Sequence, residues 1–183
     1  DNILLYAAAG GVGLIACQWA NYLGAKIIGV VSTEEKAELA IAHGCSNIIM
    51  ADQDIAEKVL ELTAGEGVAA VYDSIGKDTF ISSLNSLKPH GVMVTFGNAS
   101  GPVDPFAPSE LASRHSLYVT RPILADFINT REKLLNASQA LFDLVMKKVI
   151  KISINQRYAL RDTAQAHRDL ESRKTTGSTI LIP

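Results

Sequence analysis

Asn2-Ile3-Leu4-Leu5-Tyr6-Ala7-Ala8-Ala9-Gly10-Gly11-Val12-Gly13 is the stretch on which the fold turns. Residues 2–6 are short, apolar and β-prone. Val12, Ile15, Ala16, Trp19, Ala20 and Leu23 then recur at 0, +3, +4, +7, +8 and +11, the spacing of one helix face. The glycines fall between strand and helix. Lacking Cβ atoms, Gly10 and Gly11 permit positive φ in the turn and let a pyrophosphate approach the backbone, while Gly13 lets the helix pack close to the strand. Exposed N–H groups of the first helical turn and the positive end of the helix dipole favour an anion there. As a G-x-G-x-x-G match the segment is incomplete, because Ala8 holds the first position and only Gly10 and Gly13 fit. An ordinary glycine-rich turn is the plain alternative. The strand before it and the helix after it select a dinucleotide cradle.

The chain has 183 residues, 48% of them hydrophobic, enough for one substantial core. A net charge of −2 gives no electrostatic footprint for nucleic acid or an anionic membrane. No apolar run approaches the ~20 residues of a membrane span and no signal peptide precedes the first strand, so a cytoplasmic setting is expected. Cys17 and Cys45 lack neighbouring His clusters and match neither a zinc site nor a disulfide framework; buried apolar packing is their expected role.

After the cradle, strand and helix patterns alternate. Strands are predicted at Lys26–Val31, Asn47–Met50, Ala69–Asp73, Gly91–Phe96 and Ser116–Thr120, and helices at Glu34–His43, Ile55–Thr63, Lys77–Leu87 and Asp126–Lys147. Alternation with short connections implies an α/β fold, a doubly wound parallel sheet of six strands in the order 3-2-1-4-5-6. Such a Rossmann sheet binds its cofactor across the C-terminal ends of the strands, where the winding reverses.

The end of the second strand bears on cofactor choice. An NAD site usually places an acid about 20 residues past the glycines. Here the chain reads Val30-Val31-Ser32-Thr33-Glu34-Glu35-Lys36, and Ser32 followed by Glu35 has the form of a capping box, which assigns both acids to the first turn of the next helix. Lys36 then lies where its ammonium can neutralise a 2′-phosphate held by Ser32 and the helix N-terminus, which favours NADP. The plain alternative for Lys36 is a solvated helix lysine.

The segments A-A-A-G-G-V-G (7–13), V-S-T-E-E-K-A (31–37), V-Y-D-S-I-G-K-D-T-F (71–80), F-G-N-A-S-G-P-V (96–103), V-T-R-P (119–122) and R-K-T-T-G-S-T-I-L-I-P (173–183) occur in an informative order and spacing. In these the chain resembles the zeta-crystallin-like quinone oxidoreductases, a zinc-independent branch of the medium-chain dehydrogenases/reductases. The resemblance implies that Gly10, Gly11 and Val12 form the pyrophosphate turn, that Ser32 and Lys36 contact the 2′-phosphate, and that Ser74 lies beside the adenosine ribose. It further implies that Phe96, Gly97 and Asn98 flank the nicotinamide half, that Thr120 and Arg121 meet the carboxamide through backbone groups, and that Arg173 reaches the adenosine phosphate. Two departures stand out: Ala51 replaces a Tyr often found after the third strand, and Asp52 beside that pocket would repel phosphate.

Other conspicuous residues have structural readings. Asp73 could orient a ribose contact but is expected to hydrogen-bond the following turn. His43 precedes Gly44 at a helix end, His90 precedes Gly91 in a turn, and His115 and His167 belong to no catalytic constellation, so no residue is assigned a catalytic role and none a metal. Trp19 is expected in the core. Pro102, Pro105 and Pro108 stiffen a loop that is either a lid or a rigid connection.

By resemblance, residues 1–150 form the dinucleotide-binding domain and residues 151–183 return toward a GroES-like catalytic domain absent from this sequence. The last segment is expected as strands Lys151–Ile154 and Gln156–Leu160, a helix Thr163–Glu171 and a strand Ser178–Ile182, the last either an exposed edge or paired locally. The parent enzyme is expected to transfer hydride from NADPH to a quinone. Reduction of an activated alkene and a non-catalytic, crystallin-like role are the alternatives. A homodimer is expected through the sixth strand, whose outer edge would otherwise carry unpaired backbone groups.

Overall fold

A computed structural model describes residues 1–183. Strand β1 (Asn2–Tyr6) runs into helix α1 (Gly11–Tyr22), followed by β2 (Lys26–Val31), α2 (Glu34–Ala42), β3 (Asn47–Met50), α3 (Ile55–Leu62) and β4 (Val68–Asp73). The chain continues through α4 (Phe80–Asn85), β5 (Leu87–Thr95), α5 (Ser109–Ala112), β6 (Tyr118–Thr120), α6 (Leu124–Phe127) and α7 (Arg131–Met146). It ends with β7 (Ile154–Ala159), α8 (Thr163–Glu171) and β8 (Ser178–Ile182). Strands β1 to β6 form one parallel sheet in the order β3-β2-β1-β4-β5-β6, the doubly wound topology expected from the alternation.

Strand alternation sorts the apolar residues onto two covered faces. Leu4, Tyr6, Ile28 and Val30 meet Val59 of α3 and Phe80 and Leu84 of α4, whereas Leu5, Ile27 and Val31 meet Leu14 and Cys17 of α1 and Ala37 and Ala40 of α2. The helix face inferred for α1 is rotated from the observed one. Gly13, Leu14 and Cys17 are buried, Trp19 is only half-buried, and Val12 and Leu23 are exposed. Small residues on the inner face draw α1 close to the sheet, which leaves the bulkier apolar stripe outside.

Other boundaries moved for identifiable reasons. The expected helix 77–87 shortens to α4 because the Thr79 hydroxyl bonds the Asp73 carboxylate, and strand pairing resumes at Leu87. Between β4 and β5 the register shifts, and His90 takes φ 61° there. The expected helix 126–147 breaks into α6 and α7. Thr130 restarts it by accepting a hydrogen bond from Lys133 N at 3.2 Å. The segment from residue 151 contributes one strand, β7, rather than two, and β8 pairs with it in parallel across α8 as a separate two-stranded sheet. No helix is long and apolar enough to cross a membrane.

Candidate functional site

The turn after β1 is built differently from the expectation that its glycines supply positive φ. Ala7 takes φ 52° and its carbonyl accepts a 2.9 Å hydrogen bond from Gly10 N, while Gly10 is an extended N-cap at φ −76°. What the glycines provide is proximity. A Cβ on Gly13 would lie 2.6 Å from the Ala8 carbonyl oxygen and closer still to that of Ala7, and one on Gly11 would lie 3.1 Å from the Gly177 carbonyl. The Gly10 N-cap offers no side-chain bond, and α1 has no acid in its first turn, unlike α2, α3 and α7. Its first N–H groups and dipole are therefore left for an external anion.

The C-terminal segment closes over this turn. Gly177 N donates to the Ala9 carbonyl at 2.9 Å, and Gly177 forms an isolated parallel bridge with Gly10. At the end of β2, Thr33 rather than Ser32 caps α2. Its Oγ1 accepts from Lys36 N at 3.4 Å and its hydrogen bond to Glu35 lowers that carboxyl's pKa. The shift of the cap by one residue leaves Ser32 Oγ to accept from Lys36 Nζ at 3.2 Å, and the same ammonium donates to the Arg173 carbonyl at 2.6 Å.

Gly10, Ser32, Lys36 and Arg173 line one cavity of about 600 Å³ at the C-terminal ends of β1 and β2. Its wall also includes Ala51, where the sequence reading placed it, and Tyr6, Asp54 and Thr175, which that reading did not assign to the site. Two aspartates line the cavity, Asp54 and Asp78, and Asp52 does not; Asp54 caps α3 by accepting from Glu57 N at 3.0 Å. Tyr6 is buried beneath the cavity, and burial pushes its hydroxyl pKa up to about 12, so it stays neutral. A buried strand-end aromatic before a glycine turn was the available signal for Tyr6; none marked Thr175 by itself.

Ser74, Phe96, Gly97, Asn98, Thr120 and Arg121 gather instead at the ends of β4, β5 and β6, outside that cavity wall. Asp73 holds this corner together, as expected. One carboxylate oxygen accepts from Ile75 N (2.7 Å) and Gly76 N (3.1 Å), the other from Thr79 Oγ1 (2.7 Å) and Ser83 Oγ (2.9 Å). A Cβ on Gly97 would lie 2.7 Å from Ser74 Cα, so only glycine lets the two loops touch. Arg121 donates to the Thr95 carbonyl at 3.2 Å and to the Gly97 carbonyl at 2.9 Å, which fixes the Phe96–Asn98 backbone from the β6 side. The proline loop is anchored: Phe106 packs on Phe80 with ring centroids 4.9 Å apart, and Val103 packs against the core.

His43 donates from Nδ1 to the Leu39 carbonyl (2.7 Å), and its Nε2 shares a hydrogen bond with Ser153 Oγ (3.0 Å). It ties α2 to the C-terminal segment and has no place in the cavity. No three His, Cys, Asp or Glu side chains assemble as a metal-ligating group.

The profile of the zinc-binding dehydrogenases matches residues 11–141. The chain belongs to that family. It is 50% identical to a quinone oxidoreductase of Pseudomonas aeruginosa over 184 residues, a match that takes in all of this chain and 57% of the relative. A 2-haloacrylate reductase of a Burkholderia species is 46% identical, with all of this chain and 56% of the relative covered. The crystal structure of Escherichia coli quinone oxidoreductase complexed with NADPH superposes with a TM-score of 0.96 at 49% identity, over all of this chain and 57% of that one. The chain thus spans a little over half the length of these family members.

Proposed function

We propose that this chain is the NADPH-binding part of an enzyme that reduces a quinone. One observation carries the reading: Lys36, Ser32 and Arg173 converge on the cavity that opens beside an acid-free helix N-terminus. The residues fit the cofactor. Gly11 and Val12 offer backbone donors to a pyrophosphate, Gly10, whose own N–H is bonded to the Ala7 carbonyl, leaves the approach to them open, and Lys36, Ser32 and Arg173 supply charge and a hydroxyl for a 2′-phosphate. Bound NADPH supplies the hydride. Ser74 lies at the strand end suited to the ribose, while Phe96, Gly97, Asn98, Thr120 and Arg121 form the rim that orients the nicotinamide and excludes water from one side. The similarity to proteins named quinone oxidoreductase, one of them complexed with NADPH, supports both cofactor and acceptor class.

The similarity to 2-haloacrylate reductase favours a second reading, an activated alkene as acceptor on the same scaffold. Purified full-length protein offered NADPH with a quinone, and separately with a 2-haloacrylate, decides between them. The expected result is acceptor-dependent NADPH oxidation fastest with the quinone. NADPH binding without oxidation by either acceptor would leave a non-catalytic role.

The proposal extends to domain organisation and assembly. Residues 1–150 act as the dinucleotide domain and 151–183 return toward a GroES-like domain, a division supported by the separate β7/β8 sheet. The reaction is zinc-independent, as the family resemblance implies. A cytoplasmic setting suits the free thiols of Cys17 and Cys45. The enzyme is a homodimer through β6, which ends the sheet with β5 as its only partner and is followed by exposed Ile123, Leu124 and Phe127.

A further inference from the structure

Cys17 and Cys45 are 28 residues apart in sequence, yet their sulfurs lie 3.3 Å apart. Both thiols are free and buried. Cys17 projects from α1 toward the sheet, where its sulfur also lies 3.8 Å from the Ala8 carbonyl of the glycine turn. Cys45 follows the end of α2, where its backbone N donates to the Ala40 carbonyl. The space for the pair is made by Gly29 in the middle of β2: a Cβ there would lie 2.8 Å from Cys45 Sγ. The cofactor reading gives these sulfurs no task.

We infer that Cys17 and Cys45 are an oxidation site, a dithiol that a small hydroperoxide converts to an intramolecular disulfide linking α1 to the end of α2. The sulfurs need to close from 3.3 Å to about 2 Å to bond. Cys45 keeps 6% of its surface exposed and Cys17 none, so the oxidant meets Cys45 first. The two sulfurs are in hydrogen-bond contact and either can donate, so the thiol that is oxidised first has its partner already beside it.

The chemistry balances in two steps. Cys45–SH attacks the terminal oxygen of R–OOH, the O–O bond breaks, and Cys45–SOH and R–OH form. The Cys17 thiol then attacks the sulfenic sulfur, the S–OH bond breaks, and one water leaves with the new S–S bond. Two electrons pass from the dithiol to the hydroperoxide. The bond staples the helix that starts at the cradle to the helix that carries Lys36 in its first turn.

The test treats the purified, folded protein with hydrogen peroxide, alkylates the remaining thiols after unfolding, and maps the peptides by mass spectrometry. The expected product joins the Cys17 and Cys45 peptides, is two hydrogens lighter than the dithiol, melts at a higher temperature and reverts with dithiothreitol. In Cys17→Ser, Cys45 has no resolving partner and should advance to sulfinic acid, gaining two oxygens. Should that variant not fold, Cys17→Ala is read instead: it also removes the resolving thiol, with a small apolar side chain suited to the buried site, and Cys45 should again advance to sulfinic acid with no linked peptide. Recovery of both wild-type thiols unmodified, under conditions that oxidise free glutathione, would overturn the inference. Linkage found only between molecules, or only after unfolding, would overturn it equally.

Discussion

Lys36 Nζ donates a 2.6 Å hydrogen bond to the carbonyl of Arg173, a residue 137 positions away, while resting 3.2 Å from Ser32 Oγ. The contact ties the first turn of α2 to the segment that crosses the glycine turn. A lysine held in this way is poised in the cavity, not free in solvent.

Lys36→Ala should therefore weaken NADPH by ~1–3 kcal/mol and leave NADH nearly unchanged, since only the former carries the 2′-phosphate. Fluorescence titration with both cofactors checks it. Equal losses would indicate damage to α2, and no loss for either would return Lys36 to the solvent.

Gly11→Val places its new Cβ 3.1 Å from the Gly177 carbonyl oxygen. NADPH binding should fall at least tenfold, about 1.4 kcal/mol, as side-chain atoms crowd the pyrophosphate path. Hydrogen exchange at Gly177 N, which donates to Ala9, should accelerate in the same variant. Unchanged affinity would remove the turn from the binding site.

Asp73→Ala strips the acceptors from two backbone N–H groups and two hydroxyls in a buried corner. Unfolding free energy should drop by ~3 kcal/mol or more, measured by urea titration. A loss under 1 kcal/mol would mean that the loop re-forms its bonds without the carboxylate.

Tyr6 titrates near pH 10 when unfolded and at about 12 when folded, so between those values the unfolded chain has lost a proton that the folded one retains. Its contribution is fully present below pH 10 and is lost as pH rises through 12, by about 2–3 kcal/mol in all. Comparing urea midpoints from pH 9 to 11.5 in wild type and Tyr6→Phe isolates this slope, which the variant should lack.

If β6 pairs with its two-fold copy, Tyr118→Lys should separate the dimer, because it sets like charges across an isologous strand pair. Tyr118 is 61% exposed, so the substitution spares the fold. Sedimentation at micromolar concentration should show a wild-type dimer and a variant monomer; a monomeric wild type would sink the pairing.

The sheet was legible because its signals are local. Each strand is a short apolar run, each helix carries its own period, and the glycines between residues 6 and 13 permit only a tight passage from one to the other. The helix stripe in α1 was misread because hydrophobicity alone does not say which side of a helix is small enough to approach a sheet; Gly13 and Cys17 do so, and Val12 does not. The N-cap fell on Thr33 instead of Ser32 for a similar reason: both can cap, and backbone geometry chooses.

Sequence by itself determined the order of strands and helices, the cradle and the candidate residues at strand ends, since chain direction carries each of these to the same edge of a parallel sheet. Only tertiary structure decided which of them meet. Lys36 finds the Arg173 carbonyl, Gly177 covers Gly10, Asp54 rather than Asp52 faces the cavity, and Cys17 touches Cys45. Those pairs join residues from distant parts of the chain or depend on which way a loop turns, and no local propensity encodes a contact that exists only once two elements have packed.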